Sequence, residues 1–313
     1  MANLAERATR AMGRAVILSD RISRIDVRDH QLRAYPSDGT EAKSAPCEDI
    51  DLLVLDTHLL IGLDSHVLQE LAAARSAMLV TNRSHMPCGI FLPFSANLDH
   101  GAVTTAQFQM SVPRKKRAWQ QIVRRKIRNQ SALLEPGSAA YRRLRLLSAE
   151  VRSGDSSNAE AQAARTYWKA MLPSGVRRSA RSRLGVNAAL DYGYAVLRAA
   201  LARSCVSVGL HVGLPLFHSN LRNPFALVDD LVEPWRPFVD SRARSLGIGE
   251  DDLLAPHDKA ELVGVLHERV QCGGVEGPLT EAMLRASAAM KRYAFGEADE
   301  LDLPESPRPR ARE

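Results

Sequence analysis

The hydrophobic period of this chain changes once, near residue 101, and that change constrains the fold more than any other feature. Before it, apolar residues come in short runs (residues 15–19, 51–56 and 77–81) or alternate loosely with charged ones, as Ile25, Val27 and Leu32 do. Alternation with period two and short apolar runs between turn residues belong to strands. After it, residues 104–134 contain no Gly and one Pro, and Trp119, Ile122, Val123 and Ile127 recur at helical spacing. A pattern of one period does not serve the other element. The expectation is an α+β chain: a β-rich domain over residues 1–102, an all-α domain over 103–300, and a Pro/Arg-rich tail, 301–313, that reads as disordered.

Within the first domain, the Ser37-Asp38-Gly39 cluster marks a turn, residues 66–75 a short helix, and residues 89–94 a last strand. Further helices are expected over 139–152, 158–171, 187–208, 224–245, 258–271 and 279–294. No repeat and no Gly-rich phosphate loop is present.

The length of 313 residues accommodates two domains, and 45% hydrophobic with 25% charged residues excludes wholesale disorder. No apolar run approaches a membrane span, and the charges scattered through residues 1–14 do not fit a secretory signal. Cys47, Cys88, Cys205 and Cys272 are far apart and form no CxxC pair, which excludes a zinc ribbon and argues against a disulfide framework. A reduced, cytoplasmic protein is the resulting expectation.

The net charge of +6 conceals a segregation. Residues 111–203 carry twenty Lys and Arg against five Asp and Glu, a net of +15, whereas residues 1–110 sum to −3 and residues 229–303 to −8. Such a local excess attracts polyanions, and arginine forks onto phosphate oxygens. Arg114, Lys115, Lys116, Arg117, Arg124, Arg125, Lys126 and Arg128 form one cluster; Arg117, Arg124 and Arg128 lie on one helical face. Arg177, Arg178, Arg181 and Arg183 form a second, in a loop. Lys115, Lys116, Arg117, Arg124, Arg125, Arg128 and the four loop arginines are the candidate nucleic-acid-binding residues, with some arginines also free to pair with the acidic segment. With only 3 Trp, 6 Tyr and 7 Phe, backbone contact is favoured over base stacking.

Three stretches carry candidate chemistry. Glu160 falls in the first turn of a helix for which Asn158 is a candidate N-cap, where a carboxylate is equally at home as a cap. His218 follows the run Leu214-Pro215-Leu216-Phe217; a lone histidine there, like His211, has a structural reading too. Asn223 and Pro224 read as a helix start, which puts Asp230 and Glu233 at i and i+3 on one face with Asp229 turned away. Two carboxylates near a histidine and a basic segment suit a divalent metal beside phosphate, the alternative being a solvated acidic face.

In combination these stretches resemble a known family. The run Asn187-Ala188-Ala189-Leu190-Asp191-Tyr192-Gly193-Tyr194, residues 218–225 (HSNLRNPF) and residues 229–237 (DDLVEPWRP) resemble the CRISPR-associated endonucleases that insert new spacers, and most of all their type II branch. Residues 119–134 (WQQIVRRKIRNQSALL) and 160–168 (EAQAARTYW) fit the same branch, so the likeness spans about residues 15–245. One position departs: Asp191 stands where the pattern has Asn, either as a neutral variant or as a retuned helix interior.

The resemblance implies an N-terminal β domain that contributes to dimerisation and a helical catalytic domain. It implies metal ligands at Glu160, His218 and Glu233, with Asp230 as a further acidic residue, and Mg²⁺ or Mn²⁺ as cofactor. It implies an antiviral-defence enzyme that joins 3′-hydroxyl ends of short foreign DNA to the CRISPR repeat by transesterification. The implied partners are DNA, a second copy of the chain, and a small companion protein, the second Cas protein, in a heterohexamer. The competing reading is a non-catalytic nucleic-acid-binding scaffold with the same fold. An RNA-processing factor is disfavoured by the scarce aromatics and the lack of an RNP-type motif.

Overall fold

The computed structural model describes residues 14–19, 22–56, 62–93, 97–218, 220 and 222–307. The chain divides into two compact units, Met1–Ala96 and Asn97–Glu313, so the boundary falls a few residues before the expected 102/103 junction. The difference arises because the first helix of the second unit starts at His100, inside what reads in sequence as a loop.

In the first unit β1 (Arg14–Ser19), β2 (Ile22–Arg28), β3 (Gln31–Pro36), β4 (Lys43–Pro46), β5 (Ile50–Asp56) and β6 (Gly62–Leu63) precede helix α1 (Ser65–Ala73), and β7 (Ala77–Thr81) and β8 (Pro87–Phe91) follow it. One sheet has the order β1-β5-β7-β8, the other β4-β3-β2-β6. Every residue of β5 is buried because it is flanked by parallel β1 and β7. The loosely alternating stretch from Ile22 is an antiparallel hairpin, β2 with β3, turning through Asp29 and His30, both at positive φ (52° and 57°). Two successive positive φ values match the twist of paired strands. Asp64 caps α1 by accepting from the His66 amide at 3.0 Å. The outer end of the expected 89–94 strand, Phe94, and residues 1–13 lie outside the described residues.

The second unit comprises α2 (His100–Gln109), α3 (Val112–Ser131), α4 (Ala139–Glu150), α5 (Ala159–Met171), α6 (Gly185–Ser207), α7 (Ala226–Leu231), α8 (Arg236–Leu246) and α9 (Pro256–Gly264). A hairpin, β9 (Arg269–Cys272) with β10 (Val275–Pro278), then leads into α10 (Leu279–Phe295). The periodic apolar stripe of α3, Trp119, Ile122, Val123 and Ile127, is fully buried, and α6 runs through the core. Gly193 on α6 permits its close crossing with α8: a Cβ there would stand 2.5 Å from Val239 Cγ1.

Three expectations are corrected. The helix expected over 258–271 stops at Gly264, and a two-stranded hairpin follows it within the helical unit. Gly273 and Gly274, both at positive φ, turn the chain back as a hairpin. The helix expected over 224–245 begins at Ala226 and tightens into a 3-10 turn at Glu233–Trp235, since Pro234 and Pro237 donate no backbone hydrogen bond. The tail does not become disordered at 301. Leu303 is buried, the Glu305 amide donates to Gln271 O at 2.8 Å, and Asn129 Nδ2 donates to Pro304 O at 3.2 Å. Residues 308–313 lie outside the described residues.

Candidate active site

Glu160 stands at the N-terminal end of α5. The expected cap, Asn158, has φ 54° and makes no capping bond; the Asp155 carboxylate takes that role, accepting from the amides of Ala159 at 2.8 Å and Glu160 at 3.0 Å. Relieved of capping, the Glu160 side chain points to α3, where Lys126 Nζ donates to its Oε1 at 2.6 Å.

Glu233 reaches the same ammonium. Its Oε2 is 2.5 Å from Lys126 Nζ, and its Oε1 pairs with Arg236 at 3.2 Å. Burial pushes the Glu233 carboxyl up, but Arg236 and Lys126 outweigh it and hold it below the usual range. Burial likewise pushes the Lys126 ammonium down and is outweighed by Glu233 and Glu160, which hold it above its ordinary value. Lys126 is therefore no part of a DNA-contacting cluster: it is buried between two carboxylates.

His218 is positioned by Asp230. The Asp230 Oδ1 lies 2.5 Å from His218 Nδ1, and its Oδ2 accepts from the amides of Leu216 and Phe217, each at 2.8 Å. Trp119 stacks on Phe217 (4.7 Å, 3°) and meets His218 edge-on at 5.0 Å. The hydrogen bond that His218 donates to Asp230 raises the imidazole pKa against burial, and Asp230, Glu160 and Glu233 add to the rise through their charge. Asp230 is fully buried with both oxygens engaged, so it orients the imidazole and is not placed as a further metal ligand. With Nδ1 held, Nε2 is the nitrogen left to face a ligand.

Asp229 does turn away, as its position predicts. It receives Arg198 in a two-pronged pair, through Nε at 2.7 Å and Nη2, and Asn223 Nδ2 at 2.7 Å. Asn223 is not a helix cap; its Oδ1 accepts from the Phe225 amide at 3.0 Å. His211 is structural: its amide donates to Gln107 Oε1 at 2.8 Å, and its Nδ1 accepts from the Gly213 amide at 3.1 Å.

Among the described residues no three His, Cys, Asp or Glu side chains stand close enough together to hold a metal ion. The donor chemistry nevertheless fits one. Glu160 and Glu233 converge on a single cationic point, occupied by the Lys126 ammonium as a stand-in, and His218 presents an oriented imidazole to the field of both. Two carboxylates and an imidazole suit Mn²⁺ well and accept Mg²⁺.

The expected DNA-binding residues separate into distinct groups. Lys116, Arg117, Arg128, Arg177, Arg181 and Arg183 are exposed. Lys115 is half-buried, as is Arg125, which burial and Arg128 push below its ordinary pKa. Arg124 donates to Val151 O at 3.1 Å. Arg114 is tied to the Tyr293 carbonyl at 2.9 Å, to the Ala298 carbonyl, and to Asp299 at 3.0 Å. Arg178 is latched by Asp191, and the same carboxylate accepts from the Ser182 amide at 3.1 Å. The departure at 191 is thus a carboxylate that fastens the arginine loop. Sequence reasoning missed Lys126, Arg198 and Arg236 at the site, and the exposed Arg142, Arg143, Arg145, Arg165 and Lys169 on α4 and α5. These five contributed to the +15 segment without forming a contiguous run that would single them out.

Solved structures share this architecture. A casposase bound to integration product superposes with a TM-score of 0.75 at 18% identity, over 92% of each chain. A chain of a Cas6-RT-Cas1–Cas2 complex gives 0.69 at 18%, over 92% of this chain and 36% of that one. The family model described as CRISPR associated protein Cas1 matches residues 16–247. The CRISPR-associated endonuclease Cas1 of Neisseria meningitidis serogroup C is 39% identical over 235 residues, covering 74% of this chain and 76% of that protein. The chain belongs to the Cas1 family. Among the described residues no helix is long and apolar enough to cross a membrane.

Proposed function

We propose that this chain is a metal-dependent DNA endonuclease and integrase of CRISPR adaptation, of the type II branch, acting on 3′-hydroxyl ends of short foreign DNA. The observation that carries the reading is the convergence of Glu160 and Glu233 on one cationic point, with an imidazole oriented by Asp230 in the field of both carboxylates. A scaffold that only binds nucleic acid has no use for that arrangement.

In the proposed reaction a 3′-hydroxyl oxygen bonds to a repeat phosphorus as the existing ester oxygen leaves, so one P–O bond replaces another and no nucleotide energy source is needed. When bound, Mg²⁺ or Mn²⁺ would polarise the phosphate and lower the pKa of the hydroxyl. Glu160, Glu233 and His218 Nε2 would hold the ion. Arg236 keeps Glu233 ionised, Asp230 fixes the imidazole, and the exposed arginines supply sequence-independent phosphate contacts. A second copy of the chain and a small companion protein of the Cas2 kind complete the proposed assembly, a heterohexamer; the companion, though not the stoichiometry, is in keeping with the Cas1–Cas2 complex in which a structural neighbour is found.

The test is strand transfer of a labelled 3′-hydroxyl duplex into a supercoiled plasmid carrying a repeat, with the companion protein and Mn²⁺. Glu160→Ala, Glu233→Ala and His218→Ala should each abolish detectable joining; joining by Glu160→Ala at the wild-type rate would refute the assignment.

A further inference from the structure

Lys126 lies inside the basic stretch of α3, yet it faces away from solvent. Its side chain is 11% exposed, against 22% for Glu160 and 7% for Glu233. Two ionised carboxylates directed at one point in a poorly hydrated place repel strongly and lose their water shells. Arg236 answers only part of that charge, through Glu233 Oε1. The ammonium touches both, at 2.6 Å and 2.5 Å, from the end of a flexible four-carbon stem.

We propose that Lys126 is a positioning residue whose ammonium serves as a resident counter-cation, holding Glu160 and Glu233 on one point in the metal-free protein and yielding that point when a divalent ion arrives. This rests on the metal-dependent reading and adds to it a competition. The same contacts that preserve the carboxylate geometry must be broken for the ion to enter, so metal affinity is set below what the donor set alone would give. The linkage is reciprocal: a bound ion loosens the lysine as much as the lysine weakens the ion. No covalent bond changes in this exchange.

Two readouts separate this role from that of an ordinary structural ion pair. Thermal melting of wild type and Lys126→Met is measured in chelator-treated buffer and again in saturating Mn²⁺. The Mn²⁺ dissociation constant is read from the electron paramagnetic resonance signal of the free ion. Lys126→Met should melt below wild type without metal, recover most of the difference with Mn²⁺, and bind Mn²⁺ on the order of tenfold more tightly. Lys126→Arg, which keeps the charge, should bind Mn²⁺ no more tightly than wild type. If Lys126→Met does not fold without metal, Lys126→Met with Glu160→Gln should restore folding, since one charge has been removed from each side. Equal Mn²⁺ affinity in wild type and Lys126→Met overturns the proposal while leaving the metal reading intact. An equal melting deficit with and without Mn²⁺ does the same. No Mn²⁺ binding by wild type overturns both.

Discussion

His218 and Asp230 form a linked pair in which the carboxylate, not the imidazole, is the buried member. Asp230 is fully buried and sits 2.5 Å from His218 Nδ1, with the Leu216 and Phe217 amides on its other oxygen. Such partners fix the tautomer and aim of a ligating histidine, and their loss costs roughly 10–100-fold in metal affinity or activity. Asp230→Asn should therefore lower strand transfer by about that factor. Circular dichroism should stay native, since the amide oxygen still accepts from the backbone. Unchanged transfer by this variant would remove Asp230 from the site.

Asp240, on α8, supplies a pH prediction of its own. It accepts from Tyr167 Oη at 2.8 Å and Tyr194 Oη at 2.5 Å. Burial, partly opposed by those hydrogen bonds and by Arg236 and Lys126, pushes its pKa up from 3.8 to about 6. Because the folded value lies above the unfolded one, the folded protein binds more protons in that window. Stability is then greatest below the unfolded value and falls as pH rises to about 6. A shift of this size corresponds to about 3 kcal/mol at most. Denaturant melts at pH 4.5 and 7 should show Asp240→Asn losing less stability over the interval than wild type; identical pH profiles would contradict the raised value.

The sequence was legible where one physical signal dominates. The fully buried β5, the helical stripe of α3 and the turning of Asp229 away from Asp230 all follow from periodicity. It was not legible where the outcome depends on partners distant along the chain. Lys126 reads as one more cation in a basic run, and only the arrival of α5 and the 233–235 turn makes it an internal counter-charge. Arg114 reads the same way but is consumed by the Tyr293 and Ala298 carbonyls. Asn158 has the right chemistry for a cap, and Asp155 does the capping because the turn before α5 adopts positive φ at Asp155 and Asn158. The 301–307 segment is Pro-rich and polar, and its order comes from Asn129 and Gln271.

Asp191 fastens the arginine loop through Arg178 and the Ser182 amide, and Asn187 adds a contact to Arg178 at 3.1 Å. Asp191→Asn removes the charge that holds Arg178 while keeping side-chain size. A partly buried pair of this kind contributes about 1 kcal/mol, so global stability should change little. Local opening of the loop should change more, because segments held by few contacts open independently of the whole. Limited trypsin digestion, which reads the arginines of residues 177–183, should be several-fold faster in the variant. Equal cleavage rates would show that the loop is held by other means.

The basic residues of the second unit should divide into two kinds by salt dependence. Each lysine or arginine that neutralises a phosphate releases a counterion, and the slope of log affinity against log salt is about −0.9 per contact. Arg117 and Arg128 are exposed, so Arg117→Glu and Arg128→Glu should each weaken duplex binding and reduce the magnitude of that slope by about one. Arg114 is committed to carbonyls and to Asp299, with its guanidinium 4.1 Å from the centre of the Tyr293 ring. Arg114→Ala should leave the slope unaltered and lower the melting temperature, because the Tyr293 and Ala298 carbonyls lose their donor. On α4 and α5, Arg145→Glu and Arg165→Glu test whether the phosphate path runs along the helices that lead to Glu160: a slope reduced as for Arg128→Glu places DNA there, and an unchanged slope confines it to α3 and the arginine loop.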